Sequence, residues 1–141
     1  MNNLCKTVWK GGMNFESENA SGHMVSVDVD VQDGGSGAGY RPKSLMLTAL
    51  AGCSGLDVVS LFQKMKVPVR AFEIDIDARL TEEHPKYYDL VKVGYHFYGD
   101  QLDEKKLERC VELSVTKYCG VMEMFRRFSE VSTSCVFHHE S

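Results

Sequence analysis

The sequence predicts an α+β fold in a single domain, residues 1–141, with the element order βββαββαβ. Segments in which apolar and polar residues alternate indicate strands with one buried face, and they lie on both sides of one long apolar stretch with helical spacing. A length of 141 residues and an apolar fraction of 43% suit one core that folds without disulfides. We therefore expect antiparallel sheets on both sides of a long helix in the sequence.

The first third of the chain predicts an antiparallel meander of two or three strands. Residues 4–14 alternate weakly, and residues 23–31 alternate sharply, with valines on one face and polar residues on the other. The glycine-rich segment 33–39 predicts a flexible loop. Residues 37–44 are similar to a phosphate-binding loop, but Pro42 replaces its decisive glycine and offers no N–H to a phosphate, which excludes nucleotide binding.

A long helix is predicted from Lys43 to about Lys66, directly after Pro42, which suits the first turn of a helix. The first half of this helix is apolar on every side, so we expect it to be buried on every side. At the usual rise per residue the helix would be about 35 Å long. A chain of 141 residues is too short to bury the whole apolar surface of such a helix, which predicts a dimer.

The remainder of the chain predicts a hairpin, helical segments and a last strand. Residues 71–80 and 88–98 alternate and flank a turn at residues 82–86. Asp103 is expected to cap a second helix, and residues 121–125 add a short helical turn. Residues 127–137 then predict the final strand.

Charge and cysteine usage exclude several classes of protein. A net charge of −4 gives no basic face for nucleic acid or anionic lipid. The N-terminal residues lack the apolar region of a signal peptide, and the uncharged helix-like run 44–56 is shorter than the roughly 20 residues of a membrane span. The 5 cysteines are widely spaced with no CxxC pair, which does not indicate a secreted disulfide framework. We expect a cytoplasmic protein without nucleic-acid or membrane partners.

Cys53 lies in the middle of the long helix, flanked by small residues at positions 51, 52, 54 and 55. Glycine inside a helix costs about 0.5–1 kcal/mol relative to alanine. Gly52 and Gly55 therefore indicate either close approach of another backbone or room for a substrate at the sulfur. A buried structural thiol and a reactive thiol both fit this context. Asp57, one turn later on the same face, is expected to bind a nearby cation or backbone amide.

Cys119 follows the second helix at a break, where a thiol can move as a resolving cysteine must. Cys110 lies on the packed side of that helix, and Cys5 and Cys135 lie in predicted strands, so these three are expected to be structural. Cys135 is close in sequence to two histidines, at positions 138 and 139, but their spacing does not match a zinc site. We expect no metal and no cofactor.

Two segments of the chain resemble the OsmC/Ohr family. They are Arg41-Pro42-Lys43-Ser44-Leu45 leading to Ala51-Gly52-Cys53, and Cys119-Gly120-Val121-Met122 ahead of the last strand. The predicted element order also resembles that family, so that the likeness covers essentially the whole chain. The resemblance implies an intertwined homodimer in which two long helices pack between two sheets, and the sequence is similar to a divergent OsmC-like branch.

The same resemblance implies a thiol peroxidase that reduces organic hydroperoxides in defence against oxidative stress. Cys53 matches the peroxidatic cysteine of the family, and Cys119 matches the resolving one. Cys53 would become a sulfenic acid, Cys119 would condense with it to a disulfide, and a small dithiol or thiol reductant would restore both.

The chain departs from the family pattern at the residues that activate the thiol. Lys43 stands where the family has a glutamate, no arginine precedes Arg41, and Gly120 replaces a common proline. Lys43 or Arg41 could substitute: across an antiparallel pair of helices in a dimer, Lys43 would reach Cys53 of the partner subunit and favour its thiolate. The departures keep two alternatives open, a non-enzymatic redox-sensing or apolar-ligand-binding protein on the same scaffold, and a domain with merely structural thiols.

Overall fold

The computed structural model describes residues 1–140 and has the predicted α+β architecture. Its strands are β1 (Cys5–Gly11), β2 (Asn14–Asn19), β3 (Met24–Val27), β4 (Ala71–Leu80), β5 (Tyr88–Gly99) and β6 (Glu130–His139). Its α-helices are α1 (Pro42–Lys64), α2 (Glu104–Leu113) and α3 (Gly120–Arg126). The backbone divides into two compact units, Met1–Met46 and the chain from Leu47 onward.

The first unit contains the predicted meander, a three-stranded antiparallel sheet in the order β1-β2-β3. Gly11 and Gly12 make the turn between β1 and β2 with positive φ angles of 103° and 57°, which glycine adopts without steric cost. The indole N–H of Trp9 donates to the carbonyl of Gly12 across this turn, at 2.9 Å. Alternation and a glycine turn therefore account for this sheet.

The glycine-rich segment after β3 is built around the carboxylate of Asp28, which is only 1% exposed. Asp28 accepts hydrogen bonds from the Ser36 hydroxyl at 2.6 Å and from the Val29 amide at 2.7 Å. A short 3₁₀ turn, Val31–Asp33, lies between these partners. A side chain at Gly35 would collide with the Val29 carbonyl, so the loop can close on Asp28 only because that residue is glycine.

The second unit contains the second sheet, in the order β4-β5-β6. β4 and β5 form the predicted antiparallel hairpin, but β6 runs parallel to β5, so the expectation of purely antiparallel sheets is wrong here. The cause is the helical connection between β5 and β6, since parallel neighbours require a crossover that returns the chain to the starting edge. Tyr95 and Phe97 of β5 are fully buried at the centre of this unit.

The long helix α1 buries one stripe of residues rather than its whole surface. The buried residues recur every four positions: Leu50, Ser54, Val58 and Phe62. The side opposite the stripe is exposed, with Leu56 at 76% and open space around the α-carbon of Gly52. The expectation that the first half is buried on every side is therefore wrong for the single chain, because the helix packs on the sheet of its own unit by one face only.

Helix α1 also has the length and apolar composition of a membrane span, alone among the helices of residues 1–140. Length and composition do not separate such a span from the core helix of a soluble protein. Asp57 lies inside the helix with a hydroxyl partner, and an ionisable residue within a membrane span is rare.

Candidate functional site

Cys53 and Cys119 lie close enough for the thiol of Cys53 to raise the pKa of the Cys119 thiol. Cys53 projects from the middle of α1 and is half-buried, whereas Cys119 is only 3% exposed. Cys119 is the residue that caps α3, and its sulfur accepts a hydrogen bond from the Met122 amide at 3.3 Å. Two cysteines that are distant in sequence are thus brought together, and only one of them is accessible.

Burial raises the pKa of the Cys119 thiol to about 11, against the lowering effect of the Met122 amide. The neighbouring Cys53 and the carboxylate of Asp57 raise this pKa further. Since the thiolate is the nucleophile, Cys119 is almost entirely in its unreactive thiol form near neutral pH. The two thiols therefore differ in access, and the buried one, Cys119, is held in its protonated form.

Asp57 follows Cys53 by one helical turn, and its Oδ2 accepts a hydrogen bond from the hydroxyl of Ser114 at 3.1 Å. Among residues 1–140 no cation forms an ion pair with this carboxylate, so the predicted cation or amide partner is wrong and a hydroxyl takes its place. Asp57 also lines a cavity of about 230 Å³, together with four other residues: Ser60, Leu61, Lys64 and Tyr118.

A chain of buried hydroxyl groups runs beside the thiol pair. The phenol oxygen of Tyr95 lies 2.6 Å from Ser54 Oγ, and Ser54 Oγ lies 2.8 Å from Ser114 Oγ. All three residues are completely buried. Leaving one such hydroxyl without a partner would cost about 1–3 kcal/mol, so the chain stabilises the contact between α1, β5 and the segment after α2. Burial also raises the pKa of Tyr95 to about 12.

The segment between α2 and α3 is a π-helical turn, Ser114–Tyr118, which ends directly at Cys119. The Cys119 amide donates to the Ser114 carbonyl at 2.8 Å. Such turns insert one extra residue into a helix and are frequent at functional sites. The predicted break before Cys119 is confirmed, and it is a π turn.

Lys43 and Arg41 belong to the first unit. Arg41 pairs with Asp30 at 3.6 Å, and Lys43 is exposed in the first turn of α1. Along α1, Lys43 precedes Cys53 by ten residues, or about 15 Å. Support of the thiol by either cation therefore stays a prediction.

The chain matches the family model described as OsmC-like protein over residues 34–134. The chain belongs to the OsmC-like family. Protein YhfA of Escherichia coli strain K12 is 32% identical over 127 residues, which cover 89% of this chain and 91% of YhfA. A hypothetical protein from Aquifex aeolicus VF5 has a TM-score of 0.87 at 26% identity, with 100% of this chain and 99% of that chain covered. The organic hydroperoxide resistance protein OhrB of Bacillus subtilis shares the fold, with a TM-score of 0.67 at 15% identity and coverage of 96% and 98%.

The resemblance to the OsmC/Ohr family is thus confirmed, and the fold is OsmC-like. In this OsmC-like protein the surroundings of the thiol pair include the carboxylate of Asp57, which the sequence named as a possible supporting residue, and buried hydroxyls, which it did not assign to the site. Ser114 gave a signal, since it is a polar residue on the apolar face of the helix that contains Leu107 and Val111. The sequence contains no such signal for Tyr95, because a phenol in a strand can equally reach solvent.

The other cysteines of this OsmC-like chain lie in the predicted elements, and Cys110 is buried as expected, whereas Cys5 is exposed rather than packed in a core. Cys110 is fully buried with its sulfur 3.7 Å from Met65 Sδ, and burial raises the pKa of Cys135 in β6 to about 11. Cys5 in β1 is exposed, and hydrogen bonds from Ser17 and Thr7 lower its pKa. Within residues 1–140, no three His, Cys, Asp or Glu side chains are grouped to hold a metal ion.

Proposed function

We propose that this OsmC-like protein is a thiol-dependent peroxidase that reduces organic hydroperoxides, acting in the cytoplasm in defence against oxidative stress. The observation that carries the proposal is the proximity of a half-buried thiol, Cys53, to a buried one, Cys119. Proteins of the same fold support it, since they include organic hydroperoxide resistance proteins from Legionella pneumophila and Bacillus subtilis.

In the first step the Cys53 thiolate attacks the outer oxygen of the hydroperoxide. A sulfur–oxygen bond forms, the oxygen–oxygen bond breaks, and the alkoxide leaves with the proton that the thiol gave up, as an alcohol. Cys53 is then a sulfenic acid, oxidised by two electrons. The small, uncharged neighbours of Cys53 in α1 favour an apolar hydroperoxide over hydrogen peroxide.

In the second step Cys119 attacks the sulfur of the sulfenic acid. A disulfide forms, and the hydroxide that leaves takes the Cys119 proton to become water. Two equivalents of a thiol, or one dithiol, then reduce the disulfide and are themselves oxidised to a disulfide. The raised pKa of Cys119 supports this division of roles, because a protonated buried thiol competes poorly with Cys53 for the peroxide.

We also propose that the working form is a homodimer. The exposed side of α1, with Leu56 and the open space at Gly52, is an apolar surface that a second copy of the helix would cover. Single apolar residues on a surface are ordinary, but a continuous apolar helix face usually marks an interface.

A peroxide titration followed by mass mapping tests the peroxidase proposal. The reduced protein is treated with one equivalent of cumene hydroperoxide, alkylated and digested. We expect a Cys53–Cys119 disulfide in the wild type, none in Cys53→Ser, and a sulfenic acid at Cys53 in Cys119→Ser. Cys110→Ser is the matched control, since Cys110 is buried but lies outside the thiol pair, and it should behave like the wild type.

A second candidate function is a redox-sensing or apolar-ligand-binding protein on the same scaffold. The absence of any cation paired with Asp57 in residues 1–140, and of any arginine before Arg41, favours it. Cys53 and Cys119 that both remain free after prolonged exposure to the peroxide would overturn the peroxidase and make this candidate the better one.

A further inference from the structure

The hydroxyl chain joins the two segments that bear the thiols. Ser54 is the residue after Cys53 in α1, and its Oγ lies 2.8 Å from Ser114 Oγ. Ser114 opens the π turn, and its carbonyl accepts the Cys119 amide at 2.8 Å. A single residue, Ser114, therefore holds α1 with its side chain and Cys119 with its backbone.

The direction of the hydrogen bonds in this chain follows from its Asp57 end. The Ser114 hydroxyl donates to the carboxylate oxygen of Asp57, at 3.1 Å. Ser114 Oγ then accepts from Ser54, and Ser54 Oγ accepts from the phenol of Tyr95. A longer contact, 3.4 Å from Ser114 Oγ to the Ser54 carbonyl, is the weaker alternative for the same proton.

Full burial makes the chain rigid. Ser54 and Ser114 are both 0% exposed, so water cannot replace a lost hydrogen-bond partner there. Each hydroxyl therefore depends on the hydrogen bonds that its protein neighbours make. The π turn thus has one defined position relative to α1, and the Cys119 sulfur has one defined position relative to Cys53.

We propose that Ser54 and Ser114 are positioning residues for the formation of the Cys53–Cys119 disulfide. They hold the resolving sulfur against Cys53, so that the Cys53 sulfenic acid is captured before a second peroxide oxidises it. The inference rests on the proposed peroxidase function for its biological consequence. Its geometric content, the closeness of the two sulfurs, does not depend on peroxide chemistry.

The competition between resolution and overoxidation provides the first measurement. The Cys53 sulfenic acid is either attacked by Cys119, which gives the disulfide and water, or oxidised by another peroxide to sulfinic acid. Because both products come from one intermediate, their ratio is independent of how fast the intermediate forms. We expect Ser114→Ala to shift the ratio toward sulfinic acid by roughly tenfold, the factor associated with one buried hydrogen bond. Ser114→Thr, which keeps the hydroxyl, should restore most of the disulfide.

The matched control is Thr116→Ala. Thr116 lies in the same π turn, but its hydroxyl donates to the Glu112 carbonyl and takes no part in the chain. Thr116→Ala should therefore leave the ratio as in the wild type. An equal shift in Thr116→Ala and Ser114→Ala, or no shift in Ser114→Ala, would overturn the positioning role.

A glutathione redox buffer provides the second measurement, with no peroxide present. The equilibrium between free thiols and the Cys53–Cys119 disulfide reports how closely the protein holds the sulfurs. We expect the equilibrium constant for forming the Cys53–Cys119 disulfide to be roughly tenfold lower in Ser114→Ala than in the wild type and in Thr116→Ala. If the disulfide forms in the buffer and depends on Ser114, but does not form with peroxide, the peroxidase proposal is rejected and the positioning role stands. If no disulfide forms under either condition, both proposals are overturned.

Discussion

At the scale of single residues, the two thiols of the site lie close together but are not equivalent. Cys53 has access to solvent from an exposed side of α1, whereas Cys119 is buried and burial raises its pKa to about 11. A third thiol, Cys5, is distant from this site in sequence, is exposed, and has a pKa lowered by the Ser17 and Thr7 hydroxyls. Thiol reactivity in the native protein should therefore follow access and ionisation rather than the number of cysteines.

Alkylation of the reduced native protein with iodoacetamide at neutral pH should follow the order Cys5, then Cys53, with the three buried or raised-pKa thiols last. Peptide mapping at successive times gives the order. Cys5→Ser should remove the fastest phase and leave the labelling of Cys53 unchanged. Labelling of Cys119 ahead of Cys53 in that variant would contradict the assignment of the accessible thiol.

The sequence allowed Cys53 and Cys119 to be singled out, but not the side chains that hold them. Small neighbours and a helix break mark the two cysteines because those features are local. The link from Tyr95 through Ser54 to Ser114 depends on how a strand, a helix and a π turn cross, and no local pattern specifies a crossing. The sequence also predicted that the carboxylate of Asp57 needs a partner. The predicted cation or backbone amide was wrong, because the observed partner, the Ser114 hydroxyl, also depends on how these elements cross.

At the scale of elements, the loop between β3 and α1 is the segment whose structure differs most from what its sequence predicts. Its glycines predict flexibility, yet it closes on the buried carboxylate of Asp28. The hydrogen bond from the Ser36 hydroxyl, followed by the Val29 amide, holds the pKa of Asp28 below its ordinary value. A carboxylate of this kind contributes stability that is complete above its unfolded pKa, near 3.8, and is lost as the pH falls through the lower folded value.

Ser36→Ala should raise the pKa of Asp28 toward its ordinary value, because it removes the largest lowering cause. The loop should then open at a higher pH than in the wild type. Carboxyl-carbon NMR gives the pKa of Asp28, and amide exchange in the loop at pH 3–5 gives its opening. Ser132→Ala, which removes an exposed hydroxyl from β6, is the control and should change neither. An unshifted Asp28 in Ser36→Ala would show that the hydroxyl does not stabilise the anion.

The strands themselves follow from alternation, and their pairing does so only in part. β4 and β5 occur at the predicted positions because a hairpin is local in sequence. Alternation assigns a buried face to β6 but contains no information about its direction, and the parallel pairing with β5 depends on the helical crossover.

At the scale of the whole molecule, the exposed side of α1 is the surface on which the proposed homodimer depends. Its buried stripe packs within its own unit, and Leu56 on another side is 76% exposed. Burying that side against a second copy would remove apolar surface from water, which is the main favourable contribution to association. That the two units of one chain fold as a single domain stays a prediction.

Leu56→Glu should therefore weaken the dimer by at least tenfold, since an unpaired carboxylate buried in an apolar interface costs several kcal/mol. Analytical ultracentrifugation across a concentration series measures the change. Ser132→Glu adds the same charge at an exposed position on β6 and should leave the dimer intact. A wild-type protein that sediments as a monomer at tens of micromolar would rule out the proposed homodimer.

The parallel pairing of β6 also determines the order in which the second unit can be assembled during synthesis. The β4–β5 hairpin can form once residue 99 is available, because its contacts are local, whereas non-local parallel pairing is slow. β5 therefore keeps an unpaired edge, lined by Val91, Val93 and Phe97, until residues 130–139 have been made and the crossover has folded. An unpaired apolar edge is a template for aggregation. Ribosomes that stall within the crossover would release chains with this edge exposed, so translation of the last strand is the step that protects the nascent protein from aggregation at this edge.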